Sequence, residues 1–208
     1  MTARRTERPL PGVTGIVLAG GRSSRFGSDK LRAEISGKSL LEHAVESVAE
    51  GATEVIVVCA PDDDRPLPEA RIPVRRVVDP AAFGGPLVGL RSGLEAAAEP
   101  IVIVVGGDMP SVRPSVLAAL IRALLAAPDQ VNAAVLASRG TLVPLPAALR
   151  TGAATDRVRR LVDDGERRLR SVFEQFPTRI LDETEWRPLD PDGATLLDVD
   201  RPSDLAQE

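Results

Sequence analysis

The chain has 208 residues, 30 acidic against 26 basic side chains, a formal net charge of −4 and 43% hydrophobic residues, a composition typical of one globular domain. The negative charge and the 2% aromatic content argue against nucleic-acid binding, which needs basic and stacking surfaces. The single cysteine and single histidine exclude an internal disulfide and a structural zinc site. With no signal-peptide pattern and no apolar run of about 20 residues, we expect a cytoplasmic protein without a membrane partner.

Strands and helices are predicted to alternate through the first 125 residues. Three short apolar runs rich in β-branched residues predict strands at 15–19, 54–60 and 101–105, and a less apolar run with charges at Arg75 and Arg76 predicts another at 74–78. Helices are predicted after a capping box formed by Ser39 and Glu42, from Pro86, and from Pro114 to residue 125. Continuously apolar strands that alternate with helices indicate an α/β fold of three layers, α/β/α, with a mainly parallel sheet.

The pattern is less regular beyond residue 131. A strand is predicted at 131–137, helices at 155–162 and around 166–176, further strands at 178–181 and 196–199, and a loop at 61–68. No repeat and no low-complexity linker divides the chain. We therefore expect a single domain over residues 1–208.

The most informative segment is LAGGRSSRFGSDK at residues 18–30, directly after the first predicted strand. Its glycines let backbone amides approach an anion, and Arg22, Arg25 and Lys30 supply positive charge for a polyphosphate. The segment is neither a Walker A loop, which ends in Gly-Lys-Ser/Thr, nor the dinucleotide fingerprint with its third glycine. A glycine-rich turn with a solvated run of charges is the alternative interpretation.

This segment resembles the signature loop LAGG-x-x-x-R-x-G-x-D-K of GT-A type nucleotidyltransferases, and more narrowly that of the molybdenum cofactor guanylyltransferases. The resemblance implies a Rossmann-like nucleotidyltransferase fold in which Arg25 and Lys30 hold the triphosphate. It further implies that the first four residues contact the guanine nucleotide, namely Leu18, Ala19, Gly20 and Gly21. LAGG is similar to relatives that use purine nucleotides, whereas cytidylyl relatives more often have LAAG.

Two segments further along the chain extend the resemblance. Asp79 matches an aspartate that binds the nucleoside, and FGGPLVGL at residues 83–90 resembles the family's G-P-L-x-G segment before a helix. Asp108, in the GGDMP that follows the 101–105 strand, would bind Mg²⁺, which takes one or two carboxylates together with substrate phosphates. Without the family, the same residues are a glycine turn into a helix and a turn aspartate.

The C-terminal part carries the remaining matches. LDVDRPSDL at residues 197–205 resembles the closing segment of the family, in which asparagines are usual; Asp200, or else Asp198, would be a second metal ligand. GERR at 165–168 resembles a stretch in which Arg167 and Arg168, on a helix, would meet the terminal phosphate of molybdopterin. Capping of a last helix and a solvated helix face are the respective alternatives.

The resemblance extends from residue 15 to about residue 205 and implies a nucleotide-binding half at about 13–125 and an acceptor half at about 126–208. It implies transfer of GMP from GTP to molybdopterin with release of pyrophosphate, catalysed by Arg25, Lys30 and Asp108 with Mg²⁺ as cofactor. Cofactor-synthesis proteins and molybdoenzyme chaperones are implied protein partners.

Three alternatives stay open: a molybdopterin cytidylyltransferase, a transferase for another phosphorylated acceptor, and a non-catalytic nucleotide-binding relative. Besides the aspartates of the closing segment, two departures from the family give weight to the non-catalytic alternative. An asparagine common after the second strand is replaced by Val-Cys-Ala at 58–60, and a His-Pro pair by Gly140 and Thr141.

Overall fold

A seven-stranded sheet is the centre of the computed structural model, which describes residues 12–20, 29–79, 84–174, 176–199 and 204. The strands in these ranges are β1 (Val13–Leu18), β2 (Glu34–Ile35), β3 (Lys38–Ser39), β4 (Glu54–Cys59), β5 (Val74–Val78), β6 (Ile101–Gly106), β7 (Ala133–Ser138), β8 (Thr141–Arg150) and β9 (Thr178–Leu181). The helices are α1 (Leu40–Ala49), α2 (Pro86–Ala96), α3 (Pro114–Ala126), α4 (Thr151–Asp163), α5 (Arg170–Glu174) and α6 (Glu183–Trp186). Three 3₁₀ turns complete the regular structure, at Lys30–Arg32, Arg187–Leu189 and Ala194–Leu196.

The strand order across the large sheet is β5-β4-β1-β6-β8-β7-β9, while β2 and β3 form a separate hairpin. Strands β5, β4, β1 and β6 are parallel to one another, and β9 is parallel to β7. Only β8 pairs antiparallel to its two neighbours in this sheet, β6 and β7. The predicted mainly parallel sheet is confirmed, with the 101–105 strand inside the sheet and parallel to the first strand.

Helices cover both faces of the sheet, as the apolar strands predict. Alternate residues of each strand face opposite layers, so that Val17 packs with α1 and α3 whereas Ile16 packs with α2, α4 and α5. The predicted capping box is present at the start of α1, where Ser39 and Glu42 each bind the other's backbone amide. At Gly93 of α2, an added Cβ would lie 2.9 Å from Ile16 Cγ2, so glycine allows helix and sheet to approach closely.

Strand β8 was not predicted, because Pro144 and Pro146 interrupt its sequence and proline cannot donate to a ladder. The structure accommodates both at an irregularity of the pairing. Residues 147–149 pair with β6 and β7, residues 141–143 pair with β7 alone, and the register shifts between Val135 and Leu136. The prolines therefore stand where this strand has no ladder partner, and the Leu145–Pro146 peptide is cis.

Several predicted boundaries need correction. The strand predicted at 196–199 is wrong, since a 3₁₀ turn ends at Leu196 and the residues after it join no sheet. Helix α4 begins at Thr151, four residues before the predicted start, and α5 is only five residues long. None of the helices in the described residues is long and apolar enough to cross a membrane.

Candidate active site

The carboxyl ends of β1 and β6 lie side by side at the centre of the sheet. Leu18 is in register with Gly106, and the amide of Gly107 donates to the Leu18 carbonyl at 3.0 Å. The strands that follow β1 lie on one side of it, β4 and then β5, whereas β6 lies on the other. Open α/β sheets bind ligands at such a reversal of strand order. The first residues of the glycine-rich segment and the GGD motif therefore lie next to each other.

Lys30 and Asp108 form an ion pair at this edge, with Nζ 2.8 Å from Oδ2. The lysine side chain is 13% exposed and the aspartate 32%, so the carboxylate keeps an accessible side. Lys30 is the first residue of a 3₁₀ turn whose N-cap is Asp29. Gly106 makes the arrangement possible, because a Cβ there would collide with Asp108 Oδ1.

The backbone groups of Leu18 and Ala19 are largely engaged by neighbouring residues. Besides the bond at Leu18, the Ala19 amide donates to the Val58 carbonyl at 2.8 Å and the Ala19 carbonyl accepts from Arg65 at 2.6 Å. Gly20 is exposed, and no atom of the described residues lies within 4 Å of where its Cβ would stand. Among the described residues, open space therefore lies at Gly20, while Leu18 and Ala19 have only second lone pairs of their carbonyls to offer.

Asp79 lies beside the first turn of α2. It is 9% exposed and its amide donates to the Cys59 carbonyl at 2.9 Å. A Cβ on Gly89 would be 3.9 Å from Asp79 Oδ2 and 3.8 Å from Leu18 Cδ2, so strand end, aspartate and helix converge. The structure thus brings Asp79 close to the segment predicted to bind the nucleotide.

The GPL and GERR motifs also meet in the structure. Leu87, in the first turn of α2, donates its amide to the Arg167 carbonyl at 3.3 Å. Gly85, with φ of 92°, would bring a Cβ to 3.1 Å from the Arg167 Cβ, so a side chain at this position is unfavourable on two grounds. Arg167 and Arg168 lie in the segment before α5 and not on a helix as predicted.

Glu166 organises this segment. Its carboxylate accepts hydrogen bonds from the backbone amides of Arg167 and Arg168, from the Arg168 guanidinium at 2.9 Å and from the Ser171 hydroxyl at 2.6 Å. Hydrogen bonds from the Arg168 and Ser171 side chains, followed by those backbone amides, lower the pKa of Glu166 well below its usual range. Both arginines are exposed, so their outer faces are open to an anion.

The closing segment of the chain reaches the same edge, since the Val199 amide donates to the Asp108 carbonyl at 3.0 Å. Asp198 is exposed. Gly21, Arg25 and Asp200 lie outside the described residues, so their predicted roles stay predictions. Within the described ranges, no three His, Cys, Asp or Glu side chains are grouped as a metal site. Asp108 nevertheless fits Mg²⁺ bound with a nucleotide, which needs only one or two carboxylates besides phosphate oxygens.

One charged pair near the site was missed by sequence reasoning. Arg65, 9% exposed, binds Asp63, whose side chain is 3% exposed. Burial acts to raise the pKa of Asp63, but hydrogen bonds from the Arg65 side chain and amide outweigh it and lower the pKa to about 2. The only signal was the alternation of acidic residues, arginine and proline at 61–68, which is also typical of a solvated loop.

Comparison with known proteins identifies the family to which this chain belongs. A family model described as the MobA-like NTP transferase domain matches residues 15–180. The chain belongs to this family. The resemblance to molybdenum cofactor guanylyltransferases is therefore confirmed.

The relatives agree over nearly the whole chain. A probable molybdenum cofactor guanylyltransferase of Chloroflexus aggregans is 35% identical over 196 residues, covering 93% of this chain and 91% of the relative. A molybdenum cofactor guanylyltransferase of Rhizobium johnstonii is 31% identical over 205 residues, covering 94% of this chain and 90% of that protein.

Two solved structures confirm the predicted Rossmann-like nucleotidyltransferase fold. Molybdopterin-guanine dinucleotide biosynthesis protein A from Archaeoglobus fulgidus superposes with a TM-score of 0.74 at 22% identity, covering 93% of this chain and 95% of that one. A 2-C-methyl-D-erythritol 4-phosphate cytidylyltransferase from Thermus thermophilus gives 0.66 at 16% identity, covering 92% and 95%. Proteins named for different nucleotides share this fold, so the fold by itself does not select the base.

Proposed function

We propose that the protein transfers GMP from GTP to molybdopterin and releases pyrophosphate. The observation that carries the proposal is the Lys30–Asp108 pair, 2.8 Å apart, at the edge of the sheet where β1 and β6 end beside an open Gly20. Relatives at 31–35% identity that span more than 90% of the chain are named for this activity. A cation and a carboxylate adjacent at a ligand crevice suit a nucleoside triphosphate with a divalent metal.

Asp108 would hold Mg²⁺ and Lys30 would hold the triphosphate. When bound, Mg²⁺ neutralises charge on the triphosphate. The Lys30 ammonium is paired with Asp108 before the nucleotide arrives, and phosphate oxygens would take over part of that pairing. Lys30, together with Arg25, then stabilises the negative charge that develops on the leaving pyrophosphate. Asp200 is proposed as a second metal ligand.

The reaction is a direct displacement. A phosphate oxygen of molybdopterin forms a bond to the α-phosphorus of GTP while the bond from this phosphorus to the α–β bridging oxygen breaks, and the electron pair leaves with pyrophosphate. Neither of the two usual nucleophilic side chains in the described residues is suited to a covalent step. Burial raises the pKa of the Cys59 thiol to about 12. His43 lies on α1, and its Nε2 is 2.9 Å from the carbonyl oxygen of Ile35 on β2.

The acceptor would approach from the side of Arg167 and Arg168. Their segment is joined to the start of α2, and α2 in turn packs against Asp79 and the end of β1. An anionic phosphate of the acceptor would pair with these exposed guanidinium groups, which match phosphate geometry well. The contact between the GPL and GERR motifs would therefore hold the acceptor next to the nucleotide.

Selection of guanine is proposed to take place at Gly20. A bicyclic purine fits there because a Cβ is absent, and each hydrogen-bonding group left unpaired by a wrong base costs about 1–3 kcal/mol. We expect Gly20→Ala to weaken binding of GTP far more than binding of CTP, measured by titration calorimetry. Gly51→Ala, another position where a Cβ meets no described atom, is the control and should leave both affinities unchanged. Equal weakening for both nucleotides would contradict purine selection at this residue.

The activity test is pyrophosphate release with molybdopterin and each of GTP, CTP and ATP, with Mg²⁺ or with a chelator. We expect release with GTP and Mg²⁺ only, and a loss of about 10²–10³-fold in Asp108→Asn. Asp156→Asn, on the exposed side of α4, is the matched control and should turn over normally. Preference for CTP would indicate a cytidylyltransferase, and nucleotide binding without release in the wild-type protein would indicate a non-catalytic relative.

A further inference from the structure

Arg65 is a buried arginine in the loop between β4 and β5 that has no part in the chemistry above. Its guanidinium makes bonds to three separate groups. One nitrogen donates to the Ala19 carbonyl at 2.6 Å, another lies 3.3 Å from Asp29 Oδ1, and the Nε donates to Asp63 at 2.9 Å and 3.1 Å. A planar fork with five donors can join several acceptors in fixed relative positions, which a lysine cannot do.

Ala19 and Asp29 both belong to the segment 18–30 that is predicted to bind the nucleotide. Ala19 directly follows β1, the strand that leads into the predicted nucleotide site, and Asp29 immediately precedes Lys30. The two are ten positions apart in sequence, yet a single guanidinium contacts both. Arg65 therefore fixes the position of Asp29 relative to the end of β1.

Asp29 passes this position on to Lys30. The Asp29 carboxylate accepts from the Leu31 amide at 3.2 Å and so caps the 3₁₀ turn that begins with Lys30. From this turn, Lys30 extends its ammonium to 2.8 Å from Asp108. A continuous series of contacts thus joins Arg65, Asp29, Lys30 and Asp108.

Arg65 itself is held from the sheet. Arg76, on β5, donates to the Asp63 carbonyl at 2.6 Å and also to the Arg65 carbonyl. The Asp63 carboxylate in turn accepts hydrogen bonds from Nε and a terminal nitrogen of the Arg65 guanidinium. Backbone and side chain of Arg65 are therefore both fixed, as expected for a group that positions others and not for a mobile surface charge.

We propose that Arg65 is a positioning residue for nucleotidyl transfer, which acts through Asp29 to hold the Lys30 ammonium beside Asp108, where it meets the triphosphate. This inference deepens the proposed function and rests on it for the triphosphate contact. The contact between Lys30 and Asp108 in the free protein does not depend on the proposed function. If Arg65 only stabilised the fold, its replacement would lower stability, and the effect of this replacement on activity would not depend on Lys30. This difference is measurable.

The first test is a double-mutant cycle in kcat/KM for GTP with Arg65→Met, Lys30→Met and both together. We expect Lys30→Met to lose about 10²–10³-fold and Arg65→Met about 10²-fold, as for a misplacement of about 1 Å. The double variant should match Lys30→Met within about twofold, because the role of Arg65 is already lost with Lys30. Arg75→Met is the control. Arg75 lies on β5 and also binds a carboxylate and a carbonyl, but these belong to Glu54 and Ala96. It should lower stability and leave kcat/KM unchanged.

The second test is the crystal structure of Arg65→Met without nucleotide, in which Lys30 Nζ should lie more than 4 Å from Asp108. Multiplying losses in the cycle, or an ion pair retained in that crystal structure, would overturn the inference while leaving the proposed function intact. Absence of turnover in the wild-type protein would overturn the proposed function, and the Lys30–Asp108 distance alone then decides the positioning role. If Arg65→Met does not fold, Asp29→Ala tests the same link, because it removes the oxygen that accepts from Arg65 and from the Leu31 amide and spares the bonds of Arg65 to Ala19 and Asp63.

Discussion

Replacement of Asp63 by asparagine is expected to lower stability by about 2 kcal/mol at pH 7. The Asp63 side chain is 3% exposed, and its pKa falls from the ordinary 3.8 to about 2. Burial opposes this fall, and the hydrogen bonds and charge of Arg65 produce it. A pKa difference of one corresponds to about 1.4 kcal/mol between the protonation states, which gives about 2 kcal/mol for the ionised carboxylate in the folded protein.

The pH dependence has a definite sign. A carboxylate whose pKa is lower in the folded state contributes its full stability above the unfolded pKa and loses it as the pH falls through the folded value. The difference between wild-type protein and Asp63→Asn should therefore be constant from about pH 7 to pH 5 and decrease to about half at pH 3. This window, from about pH 4 down to about pH 2, follows from the two pKa values of Asp63.

The assay is urea denaturation of both proteins at pH 7, 5 and 3, followed by far-UV circular dichroism. Asp64→Asn is the matched control one residue away: Asp64 is 88% exposed and pairs with Arg32, which is 51% exposed. Such a surface pair contributes about 0.5 kcal/mol or less. Equal losses in the two variants, or a difference for Asp63→Asn that stays constant down to pH 3, would refute the reasoning.

Three further outcomes follow from contacts described above. Ser39→Ala removes the capping box of α1 and should lower the free energy of unfolding by about 1 kcal/mol, checked by urea denaturation; an unchanged midpoint contradicts it. Gly85→Ala should lower the free energy of unfolding by about 2 kcal/mol, since the φ of Gly85 is 92°. Gly152→Ala should raise the free energy of unfolding by about 0.5–1 kcal/mol, because Gly152 lies in α4 and an added Cβ would meet no described atom. Reversed signs would disprove the argument. The Cys59 thiol should resist Ellman's reagent at pH 8 in the native protein and react fully in urea, because burial first and a hydrogen bond with Asp63 second raise its pKa to about 12. Rapid labelling of the native protein would contradict this prediction.

The sequence predicted the parallel half of the fold well, for a physical reason. The inner strands of this half, β1, β4 and β6, are buried on both faces, so their residues are almost all apolar. The edge strand β5 is only partly buried and carries Arg75 and Arg76. Strand β8 obeys a different rule: half of it faces an irregular pairing, and Pro144 and Pro146 occupy the unpaired stretch. Local patterns describe a strand by its own residues, and here the partner strand decides which residues need hydrogen bonds.

The candidate site shows the same division. Lys30 and Asp108 were found because each belongs to a short motif next to a predicted strand, and the strand order then brings them together. Arg65 and Asp63 were missed because two partners of Arg65, Ala19 and Asp29, are distant in sequence. A buried ion pair and a solvated loop contain the same residue types, and only the packing around them distinguishes the two.

Trp186 gives the molecule an optical signal of its own. It is the only tryptophan, the chain has no tyrosine, and its ring is fully buried with Nε1 donating to the Ala137 carbonyl at 2.9 Å. Intrinsic emission excited at 295 nm therefore comes from one position, in the predicted acceptor half, while Cys59 lies in the predicted nucleotide-binding half. Unfolding followed by emission and by thiol exposure compares the two halves in unlabelled protein. Coincident transitions would mean that the continuous sheet, joined through β6 and β8, melts as one cooperative unit.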